Sequence, residues 1–135
     1  MVKGVAHVCF IVRDLEPALE FYQNVLGLKP AFDFINDKGQ RYGIYLHAGH
    51  RTFVELFQSS HDAPADGQSY RHLCLEVDDV AKTVERLKSR GLKTSEVIKG
   101  KDHSWQTWLE DPDGNKIELM SYTHESKQLK SIPIQ

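Results

Sequence analysis

The chain has 135 residues, 40% of them hydrophobic and 27% charged, with a formal net charge of −2. That length accommodates one compact domain, or two small modules sharing a core, without disulfide support. The near-neutral charge argues against a nucleic-acid partner, and no apolar run approaches the roughly 20 residues of a membrane-spanning helix.

Met1 to Ala6 pass directly into a strand-like stretch, without the longer apolar core and small-residue cleavage site of a signal peptide. Cys9 and Cys74 form neither a CxxC pair nor a secreted-type framework. A cytoplasmic protein is the expectation.

Residues 5–12 alternate and are rich in β-formers, which predicts a strand. Asp14 is placed as an N-cap, with Glu16 and Pro17 in the first turn. Leu15, Leu19, Tyr22 and Leu26 then fall on one helical stripe, and Gly27 supplies its stop. Strands are predicted around 29–34, 42–48 and 52–58, the last two joined through Gly49-His50-Arg51. A polar stretch containing Gly and Pro, SSHDAPADGQ, leads into the second half. There 70–77 reads as a strand and Asp78 or Asp79 as a cap. Val80, Val84 and Leu87 form the helical stripe, which Gly91 ends. Strands at 93–98, 104–110 and 115–122 follow, the last two joined by Asp111-Pro112-Asp113-Gly114. The polar tail, 123–135, is expected to be loose.

The two halves repeat. AHVCFIVRDLEPALEFY and RHLCLEVDDVAKTVERL align at an offset of 65, matching His7 with His72, Cys9 with Cys74, Asp14 with Asp79 and Glu20 with Glu85. FVELF (53–57) corresponds to KIELM (116–120). His7 lies 48 positions before Glu55, and His72 lies 46 before Glu118. The chain therefore reads as one domain, 1–135, built of modules at about 1–60 and 68–122.

Strand alternation assigns faces. Val8, Phe10 and Val12 share one face of the first strand, opposite His7, Cys9 and Ile11. Val54 and Leu56 oppose Phe53, Glu55 and Phe57. Leu73, Leu75 and Val77 oppose His72, Cys74 and Glu76, and Ile117 and Leu119 oppose Lys116, Glu118 and Met120. Each strand thus turns an apolar set towards a helix and a His or Glu the other way. A lone strand His is ordinarily a hydrogen-bonded core residue. A Glu among Phe, Val and Leu is costly, because an unpaired buried carboxylate loses several kcal/mol of hydration. Two His and two Glu at repeated spacing share one explanation, a divalent cation held by His7, Glu55, His72 and Glu118. The donor set suits Zn²⁺, Ni²⁺, Co²⁺, Mn²⁺ or Fe²⁺ better than Ca²⁺.

These segments, with HVCFIVRDLEPALEFYQNVLGL, TFVELF, RHLCLEVDD and EDPDGNKIELM, resemble the vicinal oxygen chelate superfamily over about 4–122, most closely its glyoxalase I (lactoylglutathione lyase) branch. The resemblance implies an α+β fold of paired βαβββ modules forming a cupped mixed sheet around the metal. It also implies a homodimer, with sites often completed by residues from both subunits. His7, His72 and Glu118 match the facial triad of extradiol Fe(II) dioxygenases, an alternative activity. Glu55 fills the further position used by glyoxalase I of the two-His, two-Glu type. Bleomycin-resistance-type proteins share the fold without the metal set, which leaves a non-catalytic drug- or metabolite-binding protein as another alternative.

The resemblance implies an isomerase or lyase acting on a small α-hydroxycarbonyl or hemithioacetal through a metal-stabilised enediolate. Glu118 is the implied base and Glu55 its alternate. Short bacterial glyoxalases hold glutathione with an Arg and an Asn at the positions of Ile11 and Ser59. The metal chemistry therefore carries over better than the substrate.

Hairpin register extends the pocket. A three-residue loop at 49–51 sets Tyr45 opposite Glu55 and His47 opposite Phe53. A four-residue loop at 111–114 sets Thr107 opposite Glu118 and Trp105 opposite Met120. Tyr45, Phe53, Phe57, Trp105 and Met120 would wall a mixed apolar pocket, with His47 and Thr107 as further contacts. Cys9 and Cys74 read as small buried hydrophobes.

Overall fold

The computed structural model describes Val5, residues 7–58, Tyr70 and residues 72–131; the linker, with Ser59, lies outside the described residues. The chain divides into two compact units, Met1–Ser69 and Tyr70–Gln135. It is an α+β fold of two four-stranded mixed sheets with few helices.

In the first unit, β1 (His7–Val12) is followed by α1 (Leu15–Leu19), then β2 (Lys29–Ile35), β3 (Arg41–Gly49) and β4 (Thr52–Gln58). The sheet order is β1-β4-β3-β2, with β1 parallel to β4 and the other pairs antiparallel. Asp14 caps α1 by accepting from the Glu16 N–H at 3.1 Å. Gln58 Oε1, at the end of β4, accepts from Leu15 N–H at 3.1 Å, so side chains meet two of the donors that a helix start leaves open. Beyond Leu19 the helix widens into a π-helical turn, Glu20–Val25, where Leu26 N–H reaches Phe21 C=O at 2.9 Å. Gly27, at φ +82, lets the chain reverse while Leu28 N–H bonds Tyr22 C=O. The buried helical face is Leu15, Ala18, Leu19, Phe21, Tyr22 and Val25. On the sheet, Phe10, Val12, Ile44, Leu46, Val54 and Leu56 are buried, and Phe10 stacks on Tyr22 at 6.0 Å. The faces of these strands are as the alternation predicts.

The second unit repeats the order. β5 (Leu73–Glu76) leads to α2 (Val80–Ser89), β6 (Ile98–Lys99), β7 (Trp105–Glu110) and β8 (Lys116–Ser121), arranged β5-β8-β7-β6 with β5 parallel to β8. Asp79 is the cap, accepting from Lys82 N–H at 3.1 Å, and Val80, Val84 and Leu87 are buried. Val80 N–H donates to Ser121 Oγ at 3.4 Å, repeating the link between α1 and Gln58.

Three expectations are corrected here. The strand predicted at 93–98 reduces to Ile98–Lys99, because Ser95 meets β7 partly through its side chain. Its N–H bonds Trp108 C=O, but Trp108 N–H turns to Ser95 Oγ at 2.9 Å, and Thr107 Oγ1 takes the Ser95 carbonyl at 2.8 Å. The β7–β8 loop is five residues rather than four. Asp111 N–H bonds Asn115 C=O, and the Asp111 carboxylate accepts from Asp113 N–H, Asn115 N–H and Asn115 Nδ2. The tail is not loose where it is described. Residues Lys127–Ser131 form α3, Lys127 N–H bonds Asp102 C=O, and the buried hydroxyls of Ser104 and Ser126 lie 2.8 Å apart. No described helix is long and apolar enough to cross a membrane.

Candidate metal-ligand pairs

Parallel pairing of β1 with β4 places His7 beside Phe53 and Cys9 beside Glu55. His7 and Glu55 therefore stand on the face away from α1. The loop at 49–51 is corrected to a two-residue turn, His50-Arg51, because Gly49 pairs with Thr52; a bulge between His47 and Gly49 absorbs the difference, so Tyr45 is still opposite Glu55 and His47 opposite Phe53. Tyr45 is the link between the two donors. Its ring centroid is 5.4 Å from that of His7, and the Glu55 carboxylate beside its hydroxyl, with partial desolvation, pushes Tyr45 up to about 12. His47 Nε2 lies 2.8 Å from the His50 carbonyl.

The rest of this face is aromatic. Phe32 stacks on Tyr45 at 4.7 Å and 14°, and Phe34 lies 5.0 Å from Phe57, which stacks with Tyr42. Gly43 sits directly beneath the Phe57 ring, where a Cβ would stand 2.5 Å from Phe57 Cδ1. Phe32, Phe34 and Tyr42 had no place in the pocket read from sequence. The edge strand that brings two of them was recognised, but its register was not.

In the second unit His72 Nε2 lies 3.3 Å from Glu118 Oε2. Glu118 is only 8% exposed, and loss of water pushes its carboxyl above the usual range, against the opposing pull of His72. The longer β7–β8 loop moves the register by one. Trp108, not Thr107, is opposite Glu118, and Gln106, not Trp105, is opposite Met120. Trp108 meets His72 edge-on at 4.8 Å and 80°. Thr107 is fully buried on the other face, opposite Leu119. Trp105 pairs with Ser121 and is exposed, with Lys99 Nζ 5.7 Å from its ring. Met120 is buried on the Glu118 strand. A cavity of about 630 Å³ is lined by His72, Trp108, Lys93, Thr94 and Lys116, among others. Trp108 is the aromatic the sequence reading missed, and only the extra loop residue reveals it.

Cys9 and Cys74 are exposed rather than buried, because they project from the faces that no helix covers. Desolvation together with Glu55 pushes the Cys9 thiol up to about 11, and desolvation with Glu118 pushes Cys74 up to about 12. Both stay protonated at neutral pH, which opposes a nucleophilic role. Among the described residues, no three His, Cys, Asp or Glu side chains stand as one metal-holding group. Each unit contributes a pair.

The fold and the repeated strand positions agree with the sequence model of the glyoxalase/bleomycin resistance protein/dioxygenase superfamily, which matches residues 4–119, and the chain belongs to that superfamily. Among its relatives is a lactoylglutathione lyase of Neisseria meningitidis, 31% identical over 120 residues, covering 84% of this chain and 87% of the relative. The fold is shared with lactoylglutathione lyase from Agrobacterium tumefaciens, at a TM-score of 0.69 and 22% identity over 89% of this chain and 94% of that one. TnmS3, an antibiotic binding protein from Streptomyces sp. CB03234, superposes at a TM-score of 0.74 with 28% identity, over 90% of this chain and 98% of its own.

Proposed function

We propose that the protein is a divalent-metal-dependent isomerase or lyase of the glyoxalase type, acting on a small substrate with adjacent oxygens. The observation that supports this reading is the duplication of a His–carboxylate pair, His7 in β1 with Glu55 in β4, and His72, one residue before β5, with Glu118 in β8. The donor chemistry fits a transition metal: two imidazoles and two carboxylates match Ni²⁺, Zn²⁺, Co²⁺, Mn²⁺ or Fe²⁺. All four would serve as ligands once the pairs meet at one cation, within a chain or between two copies in a homodimer.

Held by His7, Glu55, His72 and Glu118, a divalent cation would supply Lewis-acid charge to neighbouring substrate oxygens. The side chains do the remainder. Glu118, buried beside His72 and Trp108, takes the proton from one carbon and returns it to the next, its burial keeping competing water away. Tyr45 stands opposite Glu55, and Glu55 is the alternate base. Kinship with lactoylglutathione lyases favours catalysis, while Ile11, 48% exposed, stands where the family resemblance implies a glutathione-binding Arg. Methylglyoxal with glutathione is therefore the first substrate to assay, not the assumed one.

The test is metal content of the purified protein, followed by turnover of α-hydroxycarbonyls and of the methylglyoxal–glutathione hemithioacetal with each metal restored. Glu118→Gln is expected to keep its metal and lose at least about 100-fold in turnover. A Glu118→Gln protein of full activity overturns the base assignment. Failure of any divalent metal to bind overturns the reading.

A further inference from the structure

We infer that the cavity of the second unit binds an apolar-tailed carboxylate, with its charge between Lys93 and Lys116 and its tail against Trp108 and Leu92. The inference stands apart from the metal reading above, because neither lysine belongs to that donor set.

Two backbone segments carry the lining residues. Residues 92–95 are fastened to β7 through Ser95, whose N–H bonds Trp108 C=O at 2.8 Å while its Oγ accepts from Trp108 N–H at 2.9 Å. The second segment is the closed end of the β7–β8 hairpin, with Glu110 opposite Lys116 and Trp108 opposite Glu118. There the Tyr70 hydroxyl donates to the Lys116 carbonyl at 3.0 Å. Each lysine thus rises from chain that is already hydrogen-bonded. The space they border, about 630 Å³, is the size of a small-molecule site.

Charge and apolar surface together set the ligand class. Against Lys93 and Lys116, Glu110 is the one acid among the described lining residues, so the lining carries a surplus positive charge. Among the described residues neither lysine is ion-paired; the ion pairs there are made by Arg41, His72 and Lys130. Between Lys93 and Ser95 the wall also holds Thr94 Oγ1, a buried hydroxyl without a hydrogen-bond partner among the described residues. Such orphaned hydroxyls are uncommon in folded proteins, and this one is a donor in want of an acceptor. Leu92, Leu109 and Trp108 add apolar surface beside these groups. A small inorganic anion would leave that surface wet, and a neutral hydrocarbon would leave the surplus charge unmatched. A carboxylate on a hydrocarbon tail answers both.

The probe is octanoate, titrated by calorimetry into metal-free protein, with octan-1-ol and octylammonium as contrasts of equal chain length. Octanoate is expected to bind the most tightly of the three. The Lys93→Met/Lys116→Met double variant is expected to weaken octanoate about tenfold and leave octan-1-ol unchanged. Both lysines are exposed, so that variant should melt with the wild type. Added salt should weaken octanoate and spare octan-1-ol. Trp108→Ala should weaken both, whereas Lys82→Met, on α2, should change neither. Octanoate bound no tighter than octan-1-ol, or bound equally by the double variant, overturns the inference. Equal binding by Trp108→Ala overturns the placement of the tail. Because the titrations contain no metal, failure of the metal reading leaves this result intact, and the reverse also holds.

Discussion

Glu55 and Glu118 occupy equivalent strands, yet their surroundings have diverged. Glu55 is half-buried beside Tyr45 and Cys9 on a face rich in rings, whereas Glu118 is almost wholly buried against His72 and Trp108. The backbone around them is alike. Both sheets pair their outer parallel strand in the same way, and both tie a helix start to a polar side chain at the last residue of the neighbouring strand, Gln58 or Ser121. Duplication thus fixes where a donor stands, and the facing hairpin strand sets how wet it is.

The comparison is most severely strained by truncating equivalent core residues. Leu56→Ala and Leu119→Ala, fully buried on corresponding strands, should each cost about 2–5 kcal/mol in urea unfolding. A smaller loss in one unit would locate looser packing there. Thr107→Val sharpens the register difference. It strands the Ser95 carbonyl and should cost about 1–3 kcal/mol by the same measurement, whereas a Thr107 on the Glu118 face would leave stability unchanged. The shared caps come next: Asp14→Ala and Asp79→Ala should each lose about 1 kcal/mol, read as a shift in the urea midpoint.

The smallest effect concerns a feature of the second unit, the carboxylate that anchors α3. Hydrogen bonds from Gln128 and Ser104 hold Asp102 below its ordinary 3.8. A depressed carboxylate contributes stability that is present above the unfolded value and lost as pH falls through the folded one. A side-chain carboxyl titration by NMR should place Asp102 below 3.8 in the wild type and return it upward in Gln128→Leu.

Alternation, caps and repeat were legible in the sequence because each depends on neighbours two to four positions away. His7 and Glu55 could be put on one face, as could Tyr45 opposite Glu55, since the bulge between His47 and Gly49 offsets a turn one residue shorter than expected. The second hairpin was misread because Asp111 and Asn115 close the loop on each other, which adds a residue and exchanges Thr107 for Trp108. The edge segment near Ser95 and the docking of α3 were hidden for a different reason. Both depend on partners 12 or more positions distant, Thr107 and Trp108 in one case, Asp102 and Ser104 in the other. The aromatic Phe32–Tyr45 stack belongs to the same class of long-range pairing.

Gly43 gives the molecule an unusual point of control. Because the ring of Phe57 occupies the space a side chain at 43 would need, even Gly43→Ala must displace that ring and the Tyr42 and Phe34 rings in contact with it. One added methyl could therefore redraw the contour of the surface while His7 and Glu55 keep their strand positions. Selection acting on that single backbone site has a route to new ligand preferences that leaves the chemical groups themselves untouched.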